Sequence, residues 1–242
     1  AFDSYLKAID INPIRSNFYI SITRFLNEPD LSLLNKSKLK KILNILLEKK
    51  DLPHQELLLA FNFLYSKISS NRVKSDSNFS QLELLINDKI IINALKKIIF
   101  CDLGWEKLLS QERKKICNRI AKNTEAINYL ELQFIIALGE QSFFNEYILS
   151  FTKEESISVN NIFNRCKNGK LNEINISILS CYFPLYKLLD QIPYLKSFNS
   201  SNQSFKELIE LQITQPLKEI ELSKNIKKLG SINDNISKKV KS

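Results

Sequence analysis

Hydrophobic residues recur along this chain of 242 residues at the three- and four-residue spacing of an amphipathic helix. The clearest stripe lies on one helical face and consists of Leu39, Ile42, Leu43, Leu46 and Leu47. Charged side chains fill the opposite face, at Lys38, Lys40, Lys41 and Glu48. This segregation predicts a surface helix that buries one side against a core.

Three further stripes with the same spacing predict three more helices. They comprise Leu57, Ala60, Phe61, Leu64 and Ile68; then Ile91, Ala94, Leu95, Ile98 and Ile99; then Trp105, Leu108, Leu109, Ile116 and Ile120. The first follows Pro53, which suits the first turn of a helix because its missing N–H has no helical partner there. Residues 66–80 are rich in Ser and Asn and predict an exposed loop.

Start and stop signals frame another helix in the second half of the chain. Thr152 and Glu155 have the spacing of a capping box, in which the two side chains satisfy main-chain amides at a helix start. Gly169 closes this helix, because glycine readily adopts the left-handed conformation of many helix ends. Glu154 and Glu155 have no nucleophile or histidine beside them in the sequence, so we assign them no catalytic role.

A polar stretch over residues 197–204 is the best candidate for an internal boundary. Beyond it a new helix is predicted by Phe205, Leu208, Ile209 and Leu211. Pro216 predicts a break or kink, because its ring collides with the carbonyl four residues earlier. A last helix is expected from 217 to 229, ending at Gly230, with glutamates near its start and lysines near its end.

Composition favours an all-α fold. Hydrophobic residues make up 44% of the chain, enough to bury a core, whereas four glycines and six prolines provide few turns for a multi-stranded sheet. The net charge of +9 invites a nucleic-acid hypothesis, but lysines outnumber arginines 29 to 6 and are scattered. Because the bidentate fork that suits phosphate belongs to Arg, we interpret the charge mainly as solvated surface and disfavour a nucleic-acid partner.

Cysteine usage gives no sign of a metal site. Cys101, Cys117, Cys166 and Cys181 contain no closely spaced pair, and His54 is the single histidine. We therefore expect four buried, reduced thiols in a cytoplasmic protein. The longest apolar stretch, residues 90–95, is far too short to cross a membrane, so no membrane partner is expected.

The first thirteen residues resemble the second helix and terminal proline of a tetratricopeptide repeat. Ala1, Tyr5, Ala8 and Pro13 stand in the register of that motif, in which small residues let neighbouring helices approach and the proline ends the unit. Residues 17–26 lack the tryptophan, glycine and tyrosine of a following repeat. The resemblance therefore implies the last repeat of an array, and an ordinary amphipathic helix is the alternative.

Later segments resemble one family of large bacterial proteins. In that family a tetratricopeptide array is followed by a divergent helical region and a class I S-adenosylmethionine-dependent methyltransferase domain. The similar segments are 141–148, 181–186, 212–219, 226–230 and 232–237. Gln141 and Tyr186 stand where the family usually has cysteine and histidine, so no Cys/His site is expected there.

The methyltransferase domain itself is not within these residues. Its cofactor loop needs a glycine-rich turn after a strand, and the four glycines of this chain stand far apart. The resemblance implies that S-adenosylmethionine binds a domain beyond Ser242, so we assign no catalytic, cofactor-binding or metal-binding residue here. The resemblance also implies the domain limits, which are 1–13 for the repeat, 14–199 for the divergent helical region and 200–242 for the connector helices.

A short segment stands out as a candidate contact with a partner or a neighbouring domain. Its residues are Phe144, Asn145, Glu146 and Tyr147, to which we add Pro216 in the connector. A glutamate among so many apolar neighbours is costly unless it is paired, and such a group suits an interface. The alternatives are that Glu146 faces solvent or bonds within a helix corner, and that Pro216 is only a kink.

Two function hypotheses follow. In the first, the chain is all-α and consists of a tetratricopeptide-like remnant, then a helical bundle or solenoid, and then a connector helix. Together these form the non-catalytic, substrate-recruiting scaffold of a methyltransferase, with its own catalytic domain or another protein as partner. In the second, it is a stand-alone adaptor for protein interactions. The sequence leaves the oligomeric state open.

Overall fold

Helices make up all the regular secondary structure of residues 2–12, 16–28, 30–69, 81–122 and 126–225, the part of the chain that the computed structural model describes. The α-helices are α1 (Phe2–Ile11), α2 (Ser16–Leu26), α3 (Lys36–Glu48), α4 (Leu58–Ser69), α5 (Gln81–Ile86), α6 (Lys89–Leu95), α7 (Leu103–Lys122), α8 (Tyr129–Phe144), α9 (Lys153–Lys167), α10 (Glu173–Ser180), α11 (Gln203–Ile209) and α12 (Gln215–Asn225). Short 3-10 helices span His54–Leu57, Leu185–Leu188 and Pro193–Ser197. The all-α class is thus confirmed.

The predicted stripes bury the faces expected of them. All five stripe residues of α3 are at most 1% exposed, and the helix packs against α4 and α6. Leu57, Ala60 and Phe61 are buried around the start of α4. Helix α6 ends at Leu95, earlier than its stripe, so Ile98 turns inward and Ile99 outward in the link that follows.

Helix α8 is the centre of the second half of the molecule. It packs against α10, α6, α11 and α5, and residues 134–142 are all buried. A helix that is buried nearly all round must satisfy its polar side chains internally. Gly139 lets α10 approach closely, because a methyl group there would overlap the hydroxyl of Ser180.

Helix ends follow the predicted chemistry in α9. Both hydrogen bonds of the capping box between Thr152 and Glu155 are present, and Gly169 closes the helix with a φ of 83°. The predicted loop at 66–80 is wrong at its start, since α4 continues to Ser69 because Ile68 still packs against the core. Residues 70–80 lie outside the described part of the chain, as do Pro13 and the segment 226–242 with Gly230.

Of the break or kink predicted at Pro216, the break does not occur. Helical structure runs without interruption from Gln203 to Asn225, through a π turn at Glu210–Thr214. The amide of Gln215 donates to the carbonyl of Glu210, five residues back. This widened turn accommodates the proline ring and its missing donor, so the helix continues as α12.

Further findings concern the ends and the thiols. Helices α1 and α2 pack on each other, α11 packs on α8, and the domain limits stay a prediction. Cys117, Cys166 and Cys181 are buried as expected, but Cys101 is exposed because it lies in the irregular link before α7. In the described part of the chain no helix has both the length and the apolar character needed to cross a membrane.

Candidate functional site

A strained corner ends helix α8 at the segment singled out from the sequence. Asn145 is the C-cap residue of the helix, and Glu146 and Tyr147 follow it with φ angles of 55° and 61°. Left-handed backbone costs an L-residue about 1–2 kcal/mol, and glycine is the usual choice there. We define the corner as residues 144–147. Because two consecutive residues adopt this conformation, the corner contains backbone strain that lowers the stability of the folded state.

Hydrogen bonds to the last turn of α8 hold the corner. The amide of Tyr147 donates to the carbonyl of Ser142 over 2.8 Å. With its side-chain amide nitrogen facing the helix, Asn145 donates to the carbonyls of Ser142 and Gln141 over 2.9 and 3.2 Å. The carbonyls that a helix end leaves without partners are thereby satisfied. Asn145 is therefore a buried support of the corner rather than an exposed contact.

Gln212, in the π turn, ties the corner to the rest of the fold. Its side-chain nitrogen donates to the carbonyls of Gly139 over 2.8 Å and Ser180 over 3.2 Å. Its side-chain oxygen accepts from the hydroxyl of Tyr147 over 3.1 Å and from the amide of Leu185 over 3.3 Å. The residue is fully buried, so one side chain joins α8, α10, the 3-10 helix at 185–188 and the corner.

An open groove of about 640 Å³ lies against the corner. We call it the corner groove, and its lining consists of Phe143, Phe144, Glu146, Tyr147, Pro184, Tyr186, Lys187, Pro216 and Glu219. The structure thus brings together four of the five residues predicted from the sequence, with Asn145 directly behind them. Their role in binding a partner stays a prediction.

The charged side chains of the corner groove are all exposed. Glu146 extends from the corner and Glu219 from α12, and both residues are exposed. Glu146 therefore faces solvent and is not trapped among apolar neighbours without a partner. Lys187 places its ammonium 5.8 Å from the centre of the Tyr186 ring. The groove therefore combines aromatic faces with two carboxylates and one ammonium.

A second network, which sequence reasoning missed, fixes the chain just after the corner. Arg113 on α7 is 2% exposed and donates to Glu155 over 3.0 Å, and to the carbonyls of Leu149 and Ser150 over 3.2 and 2.9 Å. The hydroxyl of Tyr182 donates to the same carboxylate over 2.5 Å. Burial raises the pKa of Tyr182, so its hydroxyl stays a donor.

A third buried group, Glu140, lies one turn before the corner. Lys96 Nζ is 3.4 Å from a Glu140 oxygen, an ion pair without hydrogen-bond geometry, and also 3.4 Å from Glu207 on α11. Burial raises the pKa of Glu140 to about 7, against the opposing effect of Lys96. The link between α8 and α11 is therefore sensitive to pH near neutrality.

The sequence did contain a signal for the missed residues. Arg113 falls at a helical spacing from Leu109 and Ile116, inside the predicted stripe of α7. Gln212 likewise falls four residues after Leu208. A charged or amide side chain inside an apolar stripe must find buried partners, which indicates a network even where the partners cannot be named.

Groups with nucleophilic or metal-binding chemistry are dispersed or protonated. Burial raises the pKa of Cys117 and Cys166 to about 11 and that of Cys181 to about 12, so these thiols stay protonated at neutral pH. His54 is half-buried, and burial lowers its pKa. Within the described ranges, no three His, Cys, Asp or Glu side chains lie close enough to hold a metal ion.

Comparison of the chain with protein-family models, with curated proteins and with solved structures gives no match. The corner groove and the residues that hold it are therefore the candidate functional site.

Proposed function

We propose that this chain is a non-catalytic helical scaffold that binds a protein partner at the corner groove. The observation that carries the proposal is the strained corner at Glu146 and Tyr147, held open to solvent by a buried network. Strain of this kind persists only where the surrounding structure enforces it, and it concentrates at binding and catalytic sites. The half-buried aromatic residues and the exposed charged residues of the lining suit binding a protein surface.

The position of Pro216 supports the same site. Pro216 is a buried residue in the first turn of α12, which directly follows the π turn, and α12 also contributes Glu219 to the groove. The turn sets the direction in which α12 leaves the core, and π turns are frequent at functional sites. A partner that contacts the groove therefore contacts both the corner and the connector helix.

The resemblance of the sequence supplies the identity of the partner within this proposal. The scaffold belongs to a cytoplasmic bacterial methyltransferase, and the groove receives its S-adenosylmethionine-dependent domain or the substrate protein that this domain modifies. The cofactor binds the catalytic domain and not these 242 residues. A stand-alone adaptor that uses the same groove for another protein is the alternative.

Two measurements test this proposal. The coding sequence after residue 242 should encode a strand followed by a glycine-rich loop and a downstream acidic residue. Thermal unfolding of residues 1–242 should be unchanged by S-adenosylmethionine, whereas the product of the full coding sequence should be stabilised by it. Stabilisation of the 242 residues alone would contradict the non-catalytic role, and a coding sequence without such a domain would leave the adaptor.

A further inference from the structure

We infer that the segment which occupies the corner groove is positively charged, and that one Lys or Arg side chain of it lies against the aromatic rings and pairs with Glu146 and Glu219. This inference rests on the proposed function, because it identifies the chemistry of the partner at that same site. The occupant is a basic stretch of a protein chain.

The aromatic lining provides the first step. Phe143 and Tyr147 meet edge to face, with ring centres 6.4 Å apart, and Tyr186 lies on the neighbouring 3-10 helix. A cation within about 6 Å of a ring face is attracted by the electron density of that face. Lys187 already places its ammonium at such a distance from Tyr186, which shows that a cation fits beside this ring.

Charge provides the second step. Two exposed carboxylates and one ammonium line the groove, which makes it locally acidic on a chain whose net charge is +9. An acidic partner would be attracted to most of this surface and repelled at the groove. A basic partner would have the opposite preference, so charge complementarity directs it to the groove.

Rigidity provides the third step. Glu146 extends from backbone fixed by the Tyr147–Gln212 bond, and Glu219 from the first turns of a helix. Because the backbone beneath both carboxylates is already ordered, an ion pair costs only side-chain freedom, which raises the affinity that the pair can provide. Arg in particular can bond one carboxylate through two nitrogens while its plane stacks on a ring.

The test uses a defined probe and matched protein variants. An acetylated and amidated hexa-arginine peptide is titrated into the 242-residue protein at low salt by calorimetry, and hexa-citrulline of the same length serves as the neutral probe. The double variant Glu146→Gln, Glu219→Gln removes the groove charge. The control Glu28→Gln, Asp51→Asn removes the same charge at two exposed positions outside the groove.

We expect hexa-arginine to bind the wild type and the control with similar affinity, and to bind the groove variant about tenfold more weakly, as two lost charge-assisted bonds predict. Hexa-citrulline should not bind. Tyr186→Leu should weaken hexa-arginine binding several-fold by removing the ring face. All four substituted carboxylates are exposed, so the groove variant and the control variant should both unfold at the temperature of the wild type.

Four results would overturn the inference. Absence of hexa-arginine binding would remove it, and equal binding by all variants would show general attraction to surface carboxylates. Equal binding of hexa-citrulline would identify an uncharged occupant, and a wild-type dimer that the groove substitutions dissociate would identify a second copy of this chain. If hexa-arginine fails while the groove is protected from hydrogen exchange in the full gene product, the inference falls and the proposed scaffold role stands.

Discussion

Tyr147 donates a hydrogen bond of 3.1 Å to the side-chain oxygen of Gln212, which lies 65 residues later in a π turn. The bond joins the segment of the corner groove at the end of α8 to the π turn that leads into its segment on α12. Because Gln212 also bonds α10 and the amide of Leu185, the groove is built on the core and not on a free loop. The position of its walls therefore depends on one buried amide side chain.

Substitutions of these two residues should differ widely in cost. Gln212→Ala leaves the carbonyls of Gly139 and Ser180 and the amide of Leu185 without their partner, so we expect a loss of about 3 kcal/mol or more in the free energy of unfolding. Tyr147→Phe removes one bond and leaves Gln212 with its others, so about 1 kcal/mol is expected. Urea unfolding measures both. Equal losses would contradict the central position of Gln212.

Glycine at the corner should stabilise the protein. Glu146→Gly relieves about 1–2 kcal/mol of left-handed strain and adds about 0.5–1 kcal/mol of chain entropy cost, for a net gain of about 1 kcal/mol. Gly169→Ala is the matched control, because Gly169 has a φ of 83° and open space where a methyl group would lie. It should lose about 1 kcal/mol. A destabilised Glu146→Gly variant in urea unfolding would show that the corner is not strained.

The buried ion pair of Arg113 and Glu155 should show strong coupling. Arg113→Leu leaves the buried carboxylate of Glu155 without its cation and the carbonyls of Leu149 and Ser150 without this donor, and we expect it to cost about 3–5 kcal/mol. Adding Glu155→Gln removes the buried charge while a glutamine can still serve the capping box. The double variant should therefore be at least about 1 kcal/mol more stable than Arg113→Leu alone. A double-mutant cycle in urea that gives additive losses would contradict this coupling.

Stability should fall as pH rises towards neutrality because of Glu140. Its pKa is raised to about 7 in the folded protein from 4.5, so between these values the folded state holds a proton that the unfolded state has lost. The free energy of unfolding contributed by this group then falls by about 1.4 kcal/mol per pH unit, to a total of about 3 kcal/mol.

The variant Glu140→Gln isolates this effect, because an amide cannot titrate. The difference in unfolding free energy between wild type and variant should decline from pH 5 to pH 7 and then become constant. The carboxyl of Glu140 also feels the charges of Lys96, Lys97 and Glu207. The variant Glu207→Gln is the control, because it removes a nearby carboxylate that is exposed. A difference that is constant over this range would contradict the raised pKa.

The sequence predicted the elements whose two faces differ. Helix α3 separates five buried apolar residues from four charged ones, so its period is unambiguous. The capping box of α9 was equally clear, because its chemistry is local. Helix α8 gave no such pattern, since it is buried nearly all round and its polar residues point inward.

The site was predictable only in part, for a physical reason. Residues 144–147 attracted attention through a glutamate among apolar neighbours, but the left-handed backbone also depends on a bond to Gln212 that only tertiary packing provides. Pro216 marked the place where the helix is irregular, but no break occurs because a π turn precedes the ring. Arg113 and Glu140 need distant partners, which helical periodicity does not identify.

The most direct test of the scaffold role compares hydrogen exchange in residues 1–242 with exchange in the product of the full coding sequence. We expect peptides that cover the corner, residues 184–187 and residues 212–219 to exchange more slowly in the longer protein, because a bound domain covers the corner groove. Peptides from α3, which contributes no residue to the groove, should exchange equally in the two proteins. Equal exchange at the corner groove would contradict the account.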